Sequence, residues 1–145
     1  MLSVSKQFTL GKNERLKSRK QIEQLFAEGK SFVVNPFRVY FFVNDLPIVI
    51  GTSIVNSLLQ FGVGVSNRNF KRAVDRNRIK RLTREAWRVQ KNELQEKLKT
   101  NSKQLNVFFI YTGIELPDFA IVKDKVAVAL KKLADKIDEN ISSNP

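Results

Sequence analysis

One short stretch concentrates side chains suited to binding a polyanion. Residues 72–88, "RAVDRNRIKRLTREAWR", hold seven Arg or Lys among seventeen residues. From Arg68 to Arg88 nine positive charges oppose two negative ones, so this segment supplies +7 of the chain's +12. Such an excess usually reflects nucleic acid, an anionic membrane surface or an acidic protein as partner. Arginine predominates, and its planar fork grips phosphate oxygens through two hydrogen bonds.

The same stretch predicts an amphipathic helix. At about 100° per residue, an apolar stripe falls on Ile79, Leu82, Ala86 and Val89. A membrane-surface helix would need exposed apolar residues, whereas the core needs this stripe, so nucleic acid is the better partner. Arg78 lies near the apolar edge, where its guanidinium can instead turn inward to the sheet edge or to carbonyls. The predicted basic face comprises Arg76, Asn77, Lys80, Arg81, Arg84 and Arg88.

Two alternatives stay open for this helix. Asn77 can bond a phosphate, a 2′-hydroxyl or a base edge, or it can cap the helix start. The cations can also form a solvated face with i,i+4 pairs, but only a few acids, such as Glu85, are available for pairing.

Composition excludes several kinds of chemistry. The chain has no Cys and no His, which removes disulfides, thiolate or imidazole metal sites, and Ser-His or Cys-His catalysis. A protein-only nuclease would need clustered acids to hold metal, and Asp75 is the sole acid near the start of the basic face. We therefore expect no metal site and no cofactor in the chain itself.

Length and hydropathy favour one cytoplasmic domain. A chain of 145 residues with 42% apolar residues fits a single compact core. No apolar run approaches the roughly 20 residues of a membrane span, and the N-terminus "MLSVSKQFTLGK" lacks the features of a signal peptide. We expect an irregular arm over residues 1–17 and a frayed tail over 140–145.

Local patterns predict an α+β single-domain sandwich with the order α-β-β-β-α-β-α. Ser18 and Gln21 form a capping box for a helix over 19–28 that stops at Gly29. Asp118 caps an amphipathic closing helix. The short connections favour antiparallel neighbours among the first three strands. Strands are predicted over 36–44, 47–55, 59–66 and 104–112, and one helical region over about 73–98.

These residues resemble a known family. The run "VSNRNFKRAVDRNRIKRLTREAW", with "RNRIKRLTR" at its centre, is similar to the signature of the bacterial ribonuclease P protein subunit. Upstream, "RLKSRKQIEQLFAEGKSF" is similar to the family's first helix, and "FRVYFF" to its first strand. The resemblance covers about residues 12–140 and implies a left-handed crossover in the fold.

The resemblance also implies a function. Such proteins bind a catalytic RNA that, with Mg²⁺, cleaves the 5′ leader from precursor tRNA, and the protein supplies no catalytic group. The alternative is a general basic RNA-binding module or RNA chaperone. Matching positions, together with the charge of the segment, give these RNA-binding candidates: Arg68, Lys71, Arg72, Arg76, Asn77, Arg78, Lys80, Arg81, Arg84 and Arg88.

A second predicted site is a leader cleft between the first helix and the sheet. The resemblance places its apolar and aromatic lining on Ile22, Phe26, Phe37 and Tyr40. Aromatic faces stack on splayed bases without demanding a sequence. For Phe26 and Phe37 ordinary core packing remains an alternative.

Overall fold

The computed structural model describes residues 15–16, 18–45 and 58–142. In these residues the architecture is α+β, as predicted: four helices and a four-stranded sheet. In chain order the elements are α1 (Arg19–Glu28), β1 (Lys30–Val34), β2 (Phe37–Asp45), β3 (Leu59–Val65), α2 (Ala73–Arg88), α3 (Asn92–Thr100), β4 (Lys103–Tyr111) and α4 (Phe119–Ser142).

Both caps predicted from the sequence are present. The Ser18 hydroxyl accepts a hydrogen bond from the Gln21 amide at 3.3 Å, and α1 ends before Gly29. The Asp118 carboxylate accepts one from the Ile121 amide at 2.9 Å and so begins α4. Helix α4 runs to Ser142, so the tail predicted to fray from residue 140 is helical that far, and 143–145 lie outside the described residues.

The sheet differs from expectation in its neighbours. Its strand order is β1-β2-β4-β3, with β2 antiparallel to β1 and β4 but β3 parallel to β4. A parallel pair needs a long crossover, and α2 with α3 provides it. Strand β1 was not predicted, and the strand predicted over 47–55 lies outside the described residues.

The single helical region predicted over about 73–98 is two helices. Helix α2 ends at Arg88, and α3 begins at Asn92 after a turn. The side-chain Nε2 of Gln90 donates to the Ala86 carbonyl at 3.0 Å and to the Lys123 carbonyl of α4 at 3.2 Å. A contact with α4 thus fixes the turn. Because of the turn, α3 can orient separately from α2, and it buries Leu94 and Leu98.

The core lies on one face of the sheet, under α2 and α4. Alternate residues of β2 and β4 are buried there, as expected for side chains of period two. The Trp87 ring of α2 stacks on Phe61 of β3, with ring centroids 4.5 Å apart. The opposite face of the sheet carries α1, which contacts β2.

The start of the described chain also touches the sheet. Arg15 pairs with Phe61 in an isolated parallel bridge, and the buried Leu16 donates its amide to the Phe61 carbonyl at 2.8 Å. Part of the predicted irregular arm therefore lies along β3, whereas residues 1–14 and 17 are outside the described residues.

Candidate nucleic-acid interface

The buried side of α2 is rotated from the predicted stripe. Ile79 and Ala86 are fully buried as expected, but Leu82 and Val89 are only partly buried. Thr83 and Trp87 complete the buried side instead. Trp87 falls within the arc predicted to be basic, at about 20° from Arg76. Its large ring is buried against β3, so α2 is rotated about its axis relative to the predicted orientation.

This rotation exchanges the expected roles of two arginines. Arg76 turns inward, and its Nη1 donates to the Phe70 and Lys71 carbonyls at 2.8 Å each. Arg78 was given that inward option, but it is exposed. Arg76 therefore ties the start of α2 to the preceding loop, whereas Arg78 joins the outer face of α2. We define that outer face as Asn77, Arg78, Arg81, Arg84 and Arg88.

Charges on the outer face differ in their partners. Arg88 donates to Glu85 through Nε at 3.1 Å and through Nη2, and this hydrogen bonding lowers the pKa of the Glu85 carboxyl. No acid within the described part of the chain pairs with Arg78, Arg81 or Arg84. These three guanidinium groups are therefore the ones best placed to meet an anion.

Arg15 is a further cation that the sequence did not single out. Burial lowers the pKa of Arg84, and the positive charge of Arg15 lowers it further. Because Arg15 lies along β3, its charge adds to the outer face of α2 from a separate part of the chain. Only the fold reveals this proximity, since Arg84 lies 69 positions after Arg15 in the sequence.

The loop between β3 and α2 presents three more cations on a fixed backbone. Arg68, Lys71 and Arg72 are exposed, and Arg72 lies 3.9 Å from the Asp75 carboxylate. Phe70 is buried and anchors the loop. The side-chain Nδ2 of Asn69 donates to the Gly113 carbonyl at 3.3 Å. The loop is thus held to the end of β4 while its cations face solvent.

The two remaining polar candidates on α2 are placed differently. Asn77 is exposed within the helix, and the N-cap position belongs to Arg72, whose side chain makes no capping hydrogen bond. The capping alternative for Asn77 is therefore wrong. Lys80 is half-buried beside the outer face.

Aromatic rings of α1 and the sheet come together where the leader cleft is predicted. The Phe26 ring is 4.7 Å from that of Tyr40 and 5.5 Å from that of Phe108, and Phe26 remains 42% exposed. Ile22 is half-buried one helical turn before Phe26. We define Ile22, Phe26, Tyr40 and Phe108 as the aromatic cleft.

Phe37 does not belong to this cleft. It lies on β2 three residues before Tyr40, so its side chain points to the opposite face of the sheet. It is fully buried there, with its ring 5.6 Å from Phe109 and 5.3 Å from Tyr111. The core alternative is therefore correct for Phe37.

Phe108 takes a place that the sequence analysis missed. The register pairs it with Tyr40, which puts both rings on the α1 side. A Cβ atom added to Gly62 would lie 2.7 Å from the Phe108 ring, and one on Gly64 3.2 Å from it. The glycines of "FGVGV" thus allow the ring to lie against β3, which is the close approach expected of glycine in a strand.

Two further features concern metal binding and membrane crossing. Over residues 15–16, 18–45 and 58–142, no three Asp or Glu side chains come together in a way that could hold a metal ion. No helix in the described ranges has both the length and the apolarity to cross a bilayer.

Comparisons with known proteins agree on one family. The Ribonuclease P family model matches residues 10–134. The ribonuclease P protein component of Porphyromonas gingivalis is 36% identical over 137 residues, covering 94% of this chain and 95% of that protein. That of Nitrosococcus oceani is 34% identical over 89 residues, covering 61% and 66%.

Solved structures extend the likeness to the fold. The RNase P protein of Staphylococcus aureus aligns with a TM-score of 0.62 at 20% identity, over 83% of this chain and 94% of that one. The RNase P protein of Thermotoga maritima aligns with a TM-score of 0.58 at 28% identity, over 82% and 96%. With the family model spanning most of its length, the chain belongs to the ribonuclease P protein family.

Proposed function

We propose that this chain is the protein subunit of a ribonuclease P ribonucleoprotein. In this proposal it binds the catalytic RNA and the 5′ leader of precursor tRNA, and it assists removal of that leader to give the mature 5′ end. The proposal rests on one observation in a member of this family: Arg78, Arg81 and Arg84 on the outer face of α2 are exposed and pair with no acid in the described part of the chain.

The outer face of α2 supports binding to an RNA backbone. Arg81 and Arg84 are exposed on a helix that Trp87 and Ile79 anchor to the core, so core packing sets the direction in which this face points. Guanidinium groups grip phosphate oxygens in pairs, and neutralising phosphates releases counterions. Asn77, one helical turn before Arg81, offers a donor and an acceptor to a 2′-hydroxyl or a base edge.

The aromatic cleft supports binding to a single strand. Phe26 and Tyr40 leave ring surface open between α1 and the sheet. Every nucleobase has a π face, so such rings hold bases of any sequence. A leader of variable sequence is a ligand of this kind. Phe108 extends the cleft beyond the residues that the family resemblance implied.

We propose that the catalytic groups and the Mg²⁺ ions belong to the RNA subunit and that the chain contributes binding. Family membership and the resemblance support this division of labour. A cytoplasmic location stays a prediction.

Reconstitution tests the proposal. The chain is added to ribonuclease P RNA transcribed from the same genome, and cleavage of precursor tRNA is followed at low Mg²⁺. We expect the chain to restore leader removal that the RNA alone performs poorly under these conditions. If cleavage is the same with and without the chain, the proposal is wrong.

Salt titrations test the RNA-binding face. Arg81→Ala and Arg84→Ala should each weaken RNA binding and lower the slope of log K against log[salt] by about 0.7 to 0.9 per lost phosphate contact. Lys99→Ala removes the same charge from an exposed position on α3 and serves as the control. Equal affinity for an unrelated structured RNA would instead favour the general RNA-binding alternative.

A further inference from the structure

A hollow lies between α2 and the segment that joins β4 to α4. Its volume is about 450 Å³, and its lining combines Arg78 with the apolar side chains of Leu116, Pro117 and Ile121. Glu115 and Asp118 add two carboxylates. Pockets of about 300–1,000 Å³ hold drug-sized molecules, so the hollow has room for a single heterocyclic ring system.

The segment that forms the hollow is fixed by hydrogen bonds. The Tyr111 hydroxyl donates to the Glu115 carbonyl at 2.7 Å, and the Thr112 amide donates to the Pro36 carbonyl at 2.8 Å. The backbone of Gly113 packs closely against Tyr111, because a Cβ atom added at Gly113 would lie 2.6 Å from the Tyr111 hydroxyl oxygen. The backbone that carries these apolar side chains is therefore held in place before any ligand arrives.

These apolar side chains are exposed to an unusual degree. Ile114 is 79% exposed, and Leu116 and Ile121 are each 47% exposed. Val74, one helical turn before Arg78, is 60% exposed. Clustered exposure of large apolar side chains marks interaction sites, and two of these side chains, Leu116 and Ile121, share the hollow with Arg78.

We propose that the hollow receives one unstacked nucleobase of the RNA that the outer face of α2 binds. The base would lie on Leu116 and Ile121, with the planar guanidinium of Arg78 against its ring or its phosphate. The carboxylates of Glu115 and Asp118 accept hydrogen bonds, so they favour a base with an exocyclic amino group. This inference rests on the proposed function.

The surroundings favour RNA over a protein as the occupant. Arg81 is one helical turn from Arg78, so the hollow is continuous with the outer face of α2. A protein seated in the hollow would have to desolvate those cations, and the cores of protein interfaces are depleted of charge. An RNA strand keeps the same cations in contact with phosphates.

Two variants of matched exposure test this site. Leu116→Ala combined with Ile121→Ala removes the apolar floor, and Val128→Ala is the control. Val128 is 45% exposed and seven residues beyond Ile121, which is two turns along the same side of α4, or about 10 Å away. We expect the double variant to bind ribonuclease P RNA about tenfold more weakly at one salt concentration. The slope of log K against log[salt] should not change, because no phosphate contact is lost.

Chemical probing of the base edges gives the second measurement. In the wild-type complex the protein should protect one unpaired base, which dimethyl sulfate or a carbodiimide reagent then fails to modify. The same base should become reactive with the double variant and stay protected with Val128→Ala. Arg78→Lys keeps the charge but loses the planar fork, so it should expose the same base without altering the fold.

The outcomes separate this inference from the proposed function. Leader cleavage that is the same with and without the chain would refute the proposed function itself, and normal RNA binding by Arg81→Ala and Arg84→Ala would refute its RNA-binding face. If those two weaken binding while the hollow variants match Val128→Ala in affinity and protection, only the nucleobase site is wrong. The nucleobase site would also be wrong if the hollow variants bind RNA normally but lose a copurifying protein or lose self-association. That result would show that the hollow is a protein-docking surface.

Discussion

Substituting Gly62 tests whether the fold depends on the close approach of Phe108 to β3. An alanine Cβ at position 62 would lie 2.7 and 2.8 Å from two carbons of the Phe108 ring and 3.0 Å from the Leu16 carbonyl. Ordinary contacts begin at 3.4 Å, so the ring must retreat by about 0.7 Å. The Phe26 ring, 5.5 Å away, stands over Phe108 and limits that retreat.

The expected cost follows from these distances. Overpacking a filled site destabilises a protein by about 1–3 kcal/mol. Replacing a strand glycine by alanine stabilises it by about 0.5–1 kcal/mol, because alanine loses less conformational entropy on folding. We expect Gly62→Ala to lower the free energy of unfolding by about 1–2 kcal/mol. At Gly64 the added Cβ lies 3.2 Å from the ring, so the two terms nearly cancel. Gly64→Ala should therefore change stability by less than about 0.5 kcal/mol.

Urea unfolding followed by Trp87 fluorescence measures both variants. Trp87 is the sole tryptophan of the chain, and it stacks on Phe61, the residue before Gly62. Precursor and mature tRNA binding by the reconstituted holoenzymes gives a second readout, because a displaced Phe108 should weaken the precursor complex more. Equal stability of the Gly62→Ala variant and the wild type would refute the packing argument.

Three further predictions concern single side chains. Arg76→Ala should lower the free energy of unfolding by about 1–2 kcal/mol, because it leaves two carbonyls without their charged donor. The same variant should change the salt dependence of RNA binding less than Arg84→Ala does. An equal change would show that Arg76 contacts a phosphate. Tyr40→Ala should weaken holoenzyme binding to precursor tRNA more than to mature tRNA, since only the precursor carries a leader, and equal losses measured by filter binding would contradict the cleft. Burial, and next the charge of Glu115, raise the pKa of the Tyr111 phenol. The neutral phenol therefore contributes its full stability below about pH 10, the usual pKa of tyrosine, and this contribution is lost as the pH rises through the pKa of the folded protein. Urea unfolding across that range should show a shallower loss for Tyr111→Phe, and identical pH profiles would contradict the assignment.

Sequence patterns located the elements better than their arrangement. The helix over 19–28 and the cap at Asp118 follow from capping chemistry within a few residues, and both are present. The pairing of β3 with β4 depends on contacts between distant segments. No local pattern encodes the break between α2 and α3, where the Gln90 side chain reaches a carbonyl of α4.

The sequence by itself determined that cations concentrate between Arg68 and Arg88, because charge is additive along the chain and needs no fold to be counted. It also determined the family, because the motif around "RNRIKRLTR" is long and specific. The tertiary structure alone decided which cations face outward, because burial of Trp87 against Phe61 fixes the rotation of α2. That rotation turns Arg76 toward backbone carbonyls and leaves Arg78 exposed, which packing decides and the helical period alone does not predict.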